Sequence, residues 1–126
     1  MNFTYNKYEK LKSRKLIKQL FESGKAISVF PLRLIYLKIE HDGKFPLQTG
    51  VSVSKRNFKL AVHRNRIKRM MREVYRLNKD ILYKSLDEKY IFMFIYLGKS
   101  EIDYNKLNEK MKTLMKTFIS KTKKHD

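Results

Sequence analysis

The run Tyr90–Leu97, YIFMFIYL, is the most restrictive segment of this 126-residue chain. Its eight apolar residues are closed off by Gly98 and Ser100. The run is far short of the ~20 residues a membrane helix needs. It also lacks the polar alternation of a strand with one wet face. It reads as a strand buried on both faces, and such a strand needs a sheet covered from both sides.

The rest of the chain supplies candidates for that cover. Leu11–Ser23 carries Leu11, Leu16, Ile17, Leu20 and Phe21 at helical spacing, with Gly24 as a stop signal. Pro31 opens the β-rich run LRLIYLKIE, and LQTGVSVS, Leu47–Ser54, alternates as a half-buried strand. HDGK, His41–Lys44, has Asp-Gly at its centre and predicts a turn that joins these two strands as a hairpin. A short extra strand is signalled near Lys25–Ser28. Leu60–Leu82 predicts one long helix, and Asp103–Lys121 an amphipathic one. The order helix, strands, helix, strand, helix predicts an α/β (α+β) two-layer sandwich on a mixed sheet. The length fits a single domain over 1–126, with 1–9 and 120–126 expected as mobile tails.

Charge narrows the function. Lys plus Arg number 30 against 12 Asp plus Glu, a formal net charge of +18. A surplus of this size calls for a polyanionic partner, most simply a nucleic acid. Cysteine is absent, which excludes disulfides, thiolate nucleophiles and cysteine-ligated zinc. His41, His63 and His125 are scattered without metal-ligand spacing. The acidic pairs Asp87-Glu88 and Glu101/Asp103 are distant in sequence from the basic segment, and the second suits the start of the last helix. No carboxylate cluster, Ser-His-Asp set or phosphate-cradling glycine loop is present, so protein-based catalysis and a small-molecule substrate are not expected. The first residues lack the apolar core of a signal peptide, and a soluble cytoplasmic domain without a membrane partner is expected.

The arginines are more informative than the total. Six of eight lie between Arg56 and Arg76, and the stretch Lys55–Arg76 has nine basic residues and one acid, Glu73. On a helical wheel Ile67, Met70, Met71, Val74, Leu77 and Ile81 form one arc. Asn65, Arg69, Arg72 and Arg76 stand opposite, flanked by Arg64 and Lys68. Guanidinium forks grip phosphate oxygens in pairs, where lysine offers a point charge. Such like-charged neighbours repel one another unless an anion lies among them. Lys55, Arg56 and Lys59 precede the helix, so a strand end, a basic loop and a positive helix start meet at one anion-binding corner. A structural RNA-binding protein such as a ribosomal protein fits this composition. A helix-turn-helix DNA reader fits less well, because strand patterning precedes the basic helix.

GVSVSKR (Gly50–Arg56) followed by AVHRNRIKRMMREVYR (Ala61–Arg76) resembles the protein subunit of bacterial ribonuclease P. The Arg-Asn-Arg core, the Ile-Lys-Arg after it and the Val-Ser-Lys strand end together carry the resemblance, which extends over roughly Lys10–Ile119. It implies a sandwich of helix, three strands, helix, strand and helix with a left-handed βαβ crossover, against the usual right-handed rule. It implies an accessory subunit of an endoribonuclease whose RNA is the catalyst. The partners implied are the ribonuclease P RNA and precursor tRNA, with Mg2+ held mainly by the RNA. It assigns Lys55, Arg56, Lys59, Arg64, Asn65, Arg66, Lys68, Arg69, Arg72 and Arg76 to RNA contact. It further implies a cleft for the single-stranded 5′ leader lined by Ile17, Phe21, Leu34 and Tyr36, since base stacking on aromatics tolerates any sequence. Two features depart from the family pattern. Ile17 stands where an aromatic is usual, and the loop Asn57–Leu60 is one residue longer, with Phe58 and Lys59 where glycine is frequent.

Overall fold

The computed structural model describes residue 5, residues 7–40 and residues 46–123. A 3-10 turn at Lys7–Glu9 precedes α1 (Arg14–Ser23), β1 (Lys25–Val29), β2 (Leu32–Lys38), β3 (Leu47–Val53), α2 (Ala61–Asn78), α3 (Asp80–Tyr83), β4 (Tyr90–Tyr96) and α4 (Tyr104–Lys123). The sheet order is β1-β2-β4-β3. β1 and β2 pair antiparallel, β2 and β4 antiparallel, and β3 and β4 parallel.

β2 and β3 therefore do not form the expected hairpin. β4 lies between them, and the His41–Lys44 turn falls outside the described residues. The physical reason is the apolar run itself. With strands on either side, all seven residues of β4 are buried or half-buried. An edge position would leave one row of its backbone groups unpaired.

The two faces of β4 divide the core. Phe92, Phe94 and Tyr96 turn toward α2 and α4, where Leu32, Leu34, Ile67, Met71, Val74, Leu114 and Phe118 are buried with them. Burying side chains of this size contributes about 1.5–3 kcal/mol each. Ile91 and Met93 turn the other way, onto Leu11 and Leu20, with Ile17, Ile35 and Leu37 packed alongside. α1 lies on this second face. Ser13 caps it, its hydroxyl accepting from Leu16 N at 3.2 Å, so the helix begins at Arg14 rather than at Leu11. Gly24 ends it because the chain turns tightly there: a Cβ would stand 2.4 Å from Leu20 O and 2.8 Å from Ile35. The weakly signalled strand after it is β1.

The long basic helix stops at Asn78, and Lys79 leads into the single turn of α3. Lys79 is almost fully buried. Its ammonium lies 2.9 and 2.7 Å from the two oxygens of Glu9, whose side chain is fully buried, and Tyr83 OH donates to the same carboxylate at 2.6 Å. The expected tail boundary at residue 9 thus falls inside a packed segment. Tyr5 OH reaches Thr49 O at 2.7 Å, its ring meets Tyr75 edge-on, and Leu11 N donates to Thr49 O at 2.8 Å. This segment lies along β3, the sheet edge next to α2. At the other end of the chain α4 continues to Lys123.

Candidate nucleic-acid interface

α2 turns Ile67, Met71, Val74, Tyr75 and Asn78 inward. Asn65, Arg66, Arg69 and Arg72 are exposed, and Lys68 and Arg76 are half-exposed. The inward arc is centred nearer Tyr75 than the wheel placed it. Leu77, expected inside, is 42% exposed, while Tyr75 is 1% exposed.

The cations fall into two sets. Three are engaged by the protein. Arg64 donates from Nη1 to Phe58 O at 2.7 Å and Lys59 O at 2.9 Å, tying the preceding loop to the helix. Arg66 donates to both oxygens of Glu101, at 3.2 and 3.3 Å. Arg76 pairs with Glu73 through Nε at 3.2 Å, and this guanidinium holds the Glu73 carboxyl below its ordinary range. Glu101, distant from the basic segment in sequence, meets it in space because the fold lays the loop after β4 against α2. Arg69, Arg72 and Lys68, with Lys55, Arg56 and Lys59, make no ion pair with a carboxylate among the described residues. At ~1.5 Å per residue, α2 spreads its share of this set over several phosphate spacings.

The loop before α2 is anchored at three points. Phe58 is buried against Tyr96, with ring centroids 6.0 Å apart. Asn57 Nδ2 donates to Leu97 O at 3.5 Å and Gly98 O at 3.4 Å. Arg64 holds the carbonyls of Phe58 and Lys59. The longer loop is thus pinned to the end of β4, leaving Lys55, Arg56 and Lys59 outside in water. Sequence reasoning noted Phe58 as a departure and missed it as an anchor; an isolated aromatic in a basic loop was the available signal.

The expected cleft residues divide between the two faces of the sheet. Ile17 packs beside α1's cluster, and Phe21, one turn further on, is 51% exposed. Leu34 is fully buried on the opposite face. Tyr36 is on that face too, edge-on to Phe118 at 5.0 Å and to Phe92 at 6.4 Å. Neither Leu34 nor Tyr36 can line a groove beside α1. The strand is shifted by one residue from the expectation, which brings Arg33, Ile35 and Leu37 to α1's face. There the register makes two rows, Ala26–Ile35–Met93–Gly50 and Ser28–Arg33–Ile95–Ser52. Ala26, Ser28 and Arg33 are exposed, so part of this face is left uncovered. A Cβ at Gly50 would come 3.0 Å from Met93, which suits a flat floor.

Among the described residues no three His, Asp or Glu side chains come together as metal donors. No described helix is long and apolar enough to cross a membrane.

The family model for Ribonuclease P matches residues 5–119. The ribonuclease P protein component of Porphyromonas gingivalis is 45% identical over 94 residues, covering 74% of this chain and 68% of the relative. That of Caldanaerobacter subterraneus is 33% identical over 111 residues, covering 87% and 89%. The solved structure of the RNase P protein from Thermotoga maritima superposes with a TM-score of 0.69 at 24% identity, covering 86% of this chain and 96% of that one.

Proposed function

The chain belongs to the ribonuclease P protein family, and from that premise we propose that α2 docks on the catalytic RNA while the groove beside α1 holds the 5′ leader of precursor tRNA. Members of this family serve as protein components of an endoribonuclease whose RNA carries the catalysis.

The observation that carries the reading is the larger share of the basic set, six cations that pair with no carboxylate among the described residues. Arg69, Arg72 and Lys68 face solvent from α2, and Lys55, Arg56 and Lys59 stand at its mouth on a loop pinned by Phe58, Asn57 and Arg64. Cations held at fixed positions without carboxylates of their own bind a polyanion at little ordering cost. Asn65 is exposed among them and adds a side-chain amide. Arg64, Arg66 and Arg76 then act mainly by holding the interface in shape.

The groove offers chemistry suited to a single strand. Phe21 presents an exposed ring, Ile17 an aliphatic flank, Arg33 a guanidinium, and Ser28 and Ser52 hydroxyls on the floor. Ring and guanidinium accept any base and any phosphate, so leaders of many sequences would be held. Mg2+ supplies the hydrolytic chemistry from the RNA side. The protein's part is to neutralise phosphates and align the leader. The cytoplasm, where precursor tRNA is made, is the compartment this role requires.

The test is cleavage of precursor tRNA by a bacterial ribonuclease P RNA at low magnesium, with and without the protein. Stimulation that falls as the leader is shortened is the expected result. Tight RNA binding without stimulation would replace this reading with that of a structural RNA-binding protein.

A further inference from the structure

A cavity of about 380 Å³ opens at the end of the sheet where the β1–β2 turn, the end of β4 and the first turns of α4 meet. Phe30, Tyr96, Ile102, Lys99, Lys106 and Lys110 line it. Phe30 is 69% exposed, more than any other large apolar side chain among the described residues. The floor is kept low by Gly98, where a Cβ would meet the Tyr96 ring at 2.9 Å. Tyr96 itself is fixed by its hydroxyl, which donates to Ser100 O at 2.6 Å.

The charge balance of this cavity is more positive than its composition suggests. Two acids border it, Glu101 and Asp103. Glu101 is taken up by Arg66, and Asp103 accepts from Asn105 N at 3.1 Å at the start of α4. Lys99, Lys106 and Lys110 make no ion pair among the described residues. A wet aromatic ring beside three unpaired ammonium groups, in a cavity of nucleotide size, matches a base and its phosphate. A hydrophobic peptide would leave the lysines unsatisfied, and a free anion would leave the ring idle.

We propose that this cavity binds one unpaired RNA nucleotide, its base against Phe30 and its phosphate among Lys99, Lys106 and Lys110. The proposal rests on the RNA-binding reading and extends it to a surface outside α2 and the α1 groove. The two surfaces are in direct contact through Arg66 and Glu101, and through Asn57 on the carbonyls of Leu97 and Gly98. One RNA strand can therefore run from the basic corner to the cavity.

The test begins with the full chain and two probes, a short oligouridylate and an inorganic polyphosphate of equal charge, followed by residue-resolved NMR. The oligouridylate is expected to shift the Phe30 ring and the amides from Lys99 to Lys110. The polyphosphate is expected to leave the ring unmoved. Phe30→Ala should bind the oligouridylate about five-fold weaker, the low end of what base–aromatic stacking contributes, with an otherwise native spectrum. Lys106→Ala/Lys110→Ala should weaken both probes. Shifts confined to α2 and its loop, or a Phe30→Ala variant that binds as tightly as the parent, overturn the proposal and leave the RNA-binding reading standing. No response from either surface overturns both. Loss of leader-length preference by Phe30→Ala would assign the nucleotide to the precursor, and weaker assembly alone would assign it to the catalytic RNA.

Discussion

Lys79 and Glu9, seventy positions apart, form an ion pair with both side chains withdrawn from water, at 2.7 and 2.9 Å. The pair fastens the segment ahead of α1 to the end of the basic helix, so the elements proposed to carry the two RNA contacts are joined directly as well as through the sheet. Removing one member of a buried pair costs about 3–5 kcal/mol, whereas replacing both with apolar groups is often neutral. Lys79→Met is therefore expected to lower the denaturation midpoint severely, and Glu9→Leu/Lys79→Met to restore most of it. A Lys79→Met protein as stable as the parent would deny the pair this role.

Tyr36 and Phe21 should separate stability from leader recognition. Tyr36→Ala removes a ring from the Phe92–Phe118 cluster and is expected to cost about 3–5 kcal/mol, with leader preference unchanged in the folded fraction. Phe21→Ala removes an exposed ring. It should leave the melting temperature nearly unaltered while weakening leader-bearing precursor by about 1–3 kcal/mol. Melting curves and precursor affinities with and without a leader check both.

Arg69 and Arg64 should differ in kind. Arg69→Ala deletes an unpaired cation, so RNA affinity falls and its salt dependence flattens by about 0.7–0.9 in log–log slope, without loss of stability. Arg64→Ala frees the carbonyls of Phe58 and Lys59 and should lower stability by about 1–3 kcal/mol as well as affinity. Salt titrations of binding, paired with urea denaturation, distinguish the two.

Alkaline pH should unfold the protein. Burial raises the Tyr75 hydroxyl well above its ordinary value of 10.0, and burial with the neighbouring Glu9 carboxylate raises Tyr83. Below that ordinary value both states keep these protons and stability is unaffected. Above it the unfolded chain releases them and the folded chain does not, so stability falls as pH rises. The tyrosinate absorbance of Tyr75 and Tyr83 is expected to appear together with loss of the fold. Tyr83→Phe should reduce the steepness of the transition.

Phe58→Gly tests the loop anchor. Emptying the site against Tyr96 should cost several kcal/mol and loosen Lys55, Arg56 and Lys59. RNA affinity would fall although no cation is removed, and slow exchange of the loop amides would be lost.

Much of this molecule was readable from residue order because its strongest signals are local. Ten residues of α1, the eighteen of α2 and the twenty of α4 follow apolar periodicity, and the unbroken run at Tyr90 announces a strand covered on both faces. The cluster of arginines and its resemblance to a known family are likewise local. What tertiary structure decided is which surfaces meet. Both faces of LRLIYLK are apolar, so alternation could not say whether Tyr36 or Ile35 turns toward α1; packing of Tyr36 against Phe118 settled it. The insertion of β4 between β2 and β3, the approach of Glu101 to Arg66, and the burial of Lys79 on Glu9 join residues far apart in sequence. Periodicity encodes which side of an element is apolar. It carries no information about the partner, because burial is satisfied by any apolar surface and a charge by any opposite charge until the assembled core allows only one arrangement.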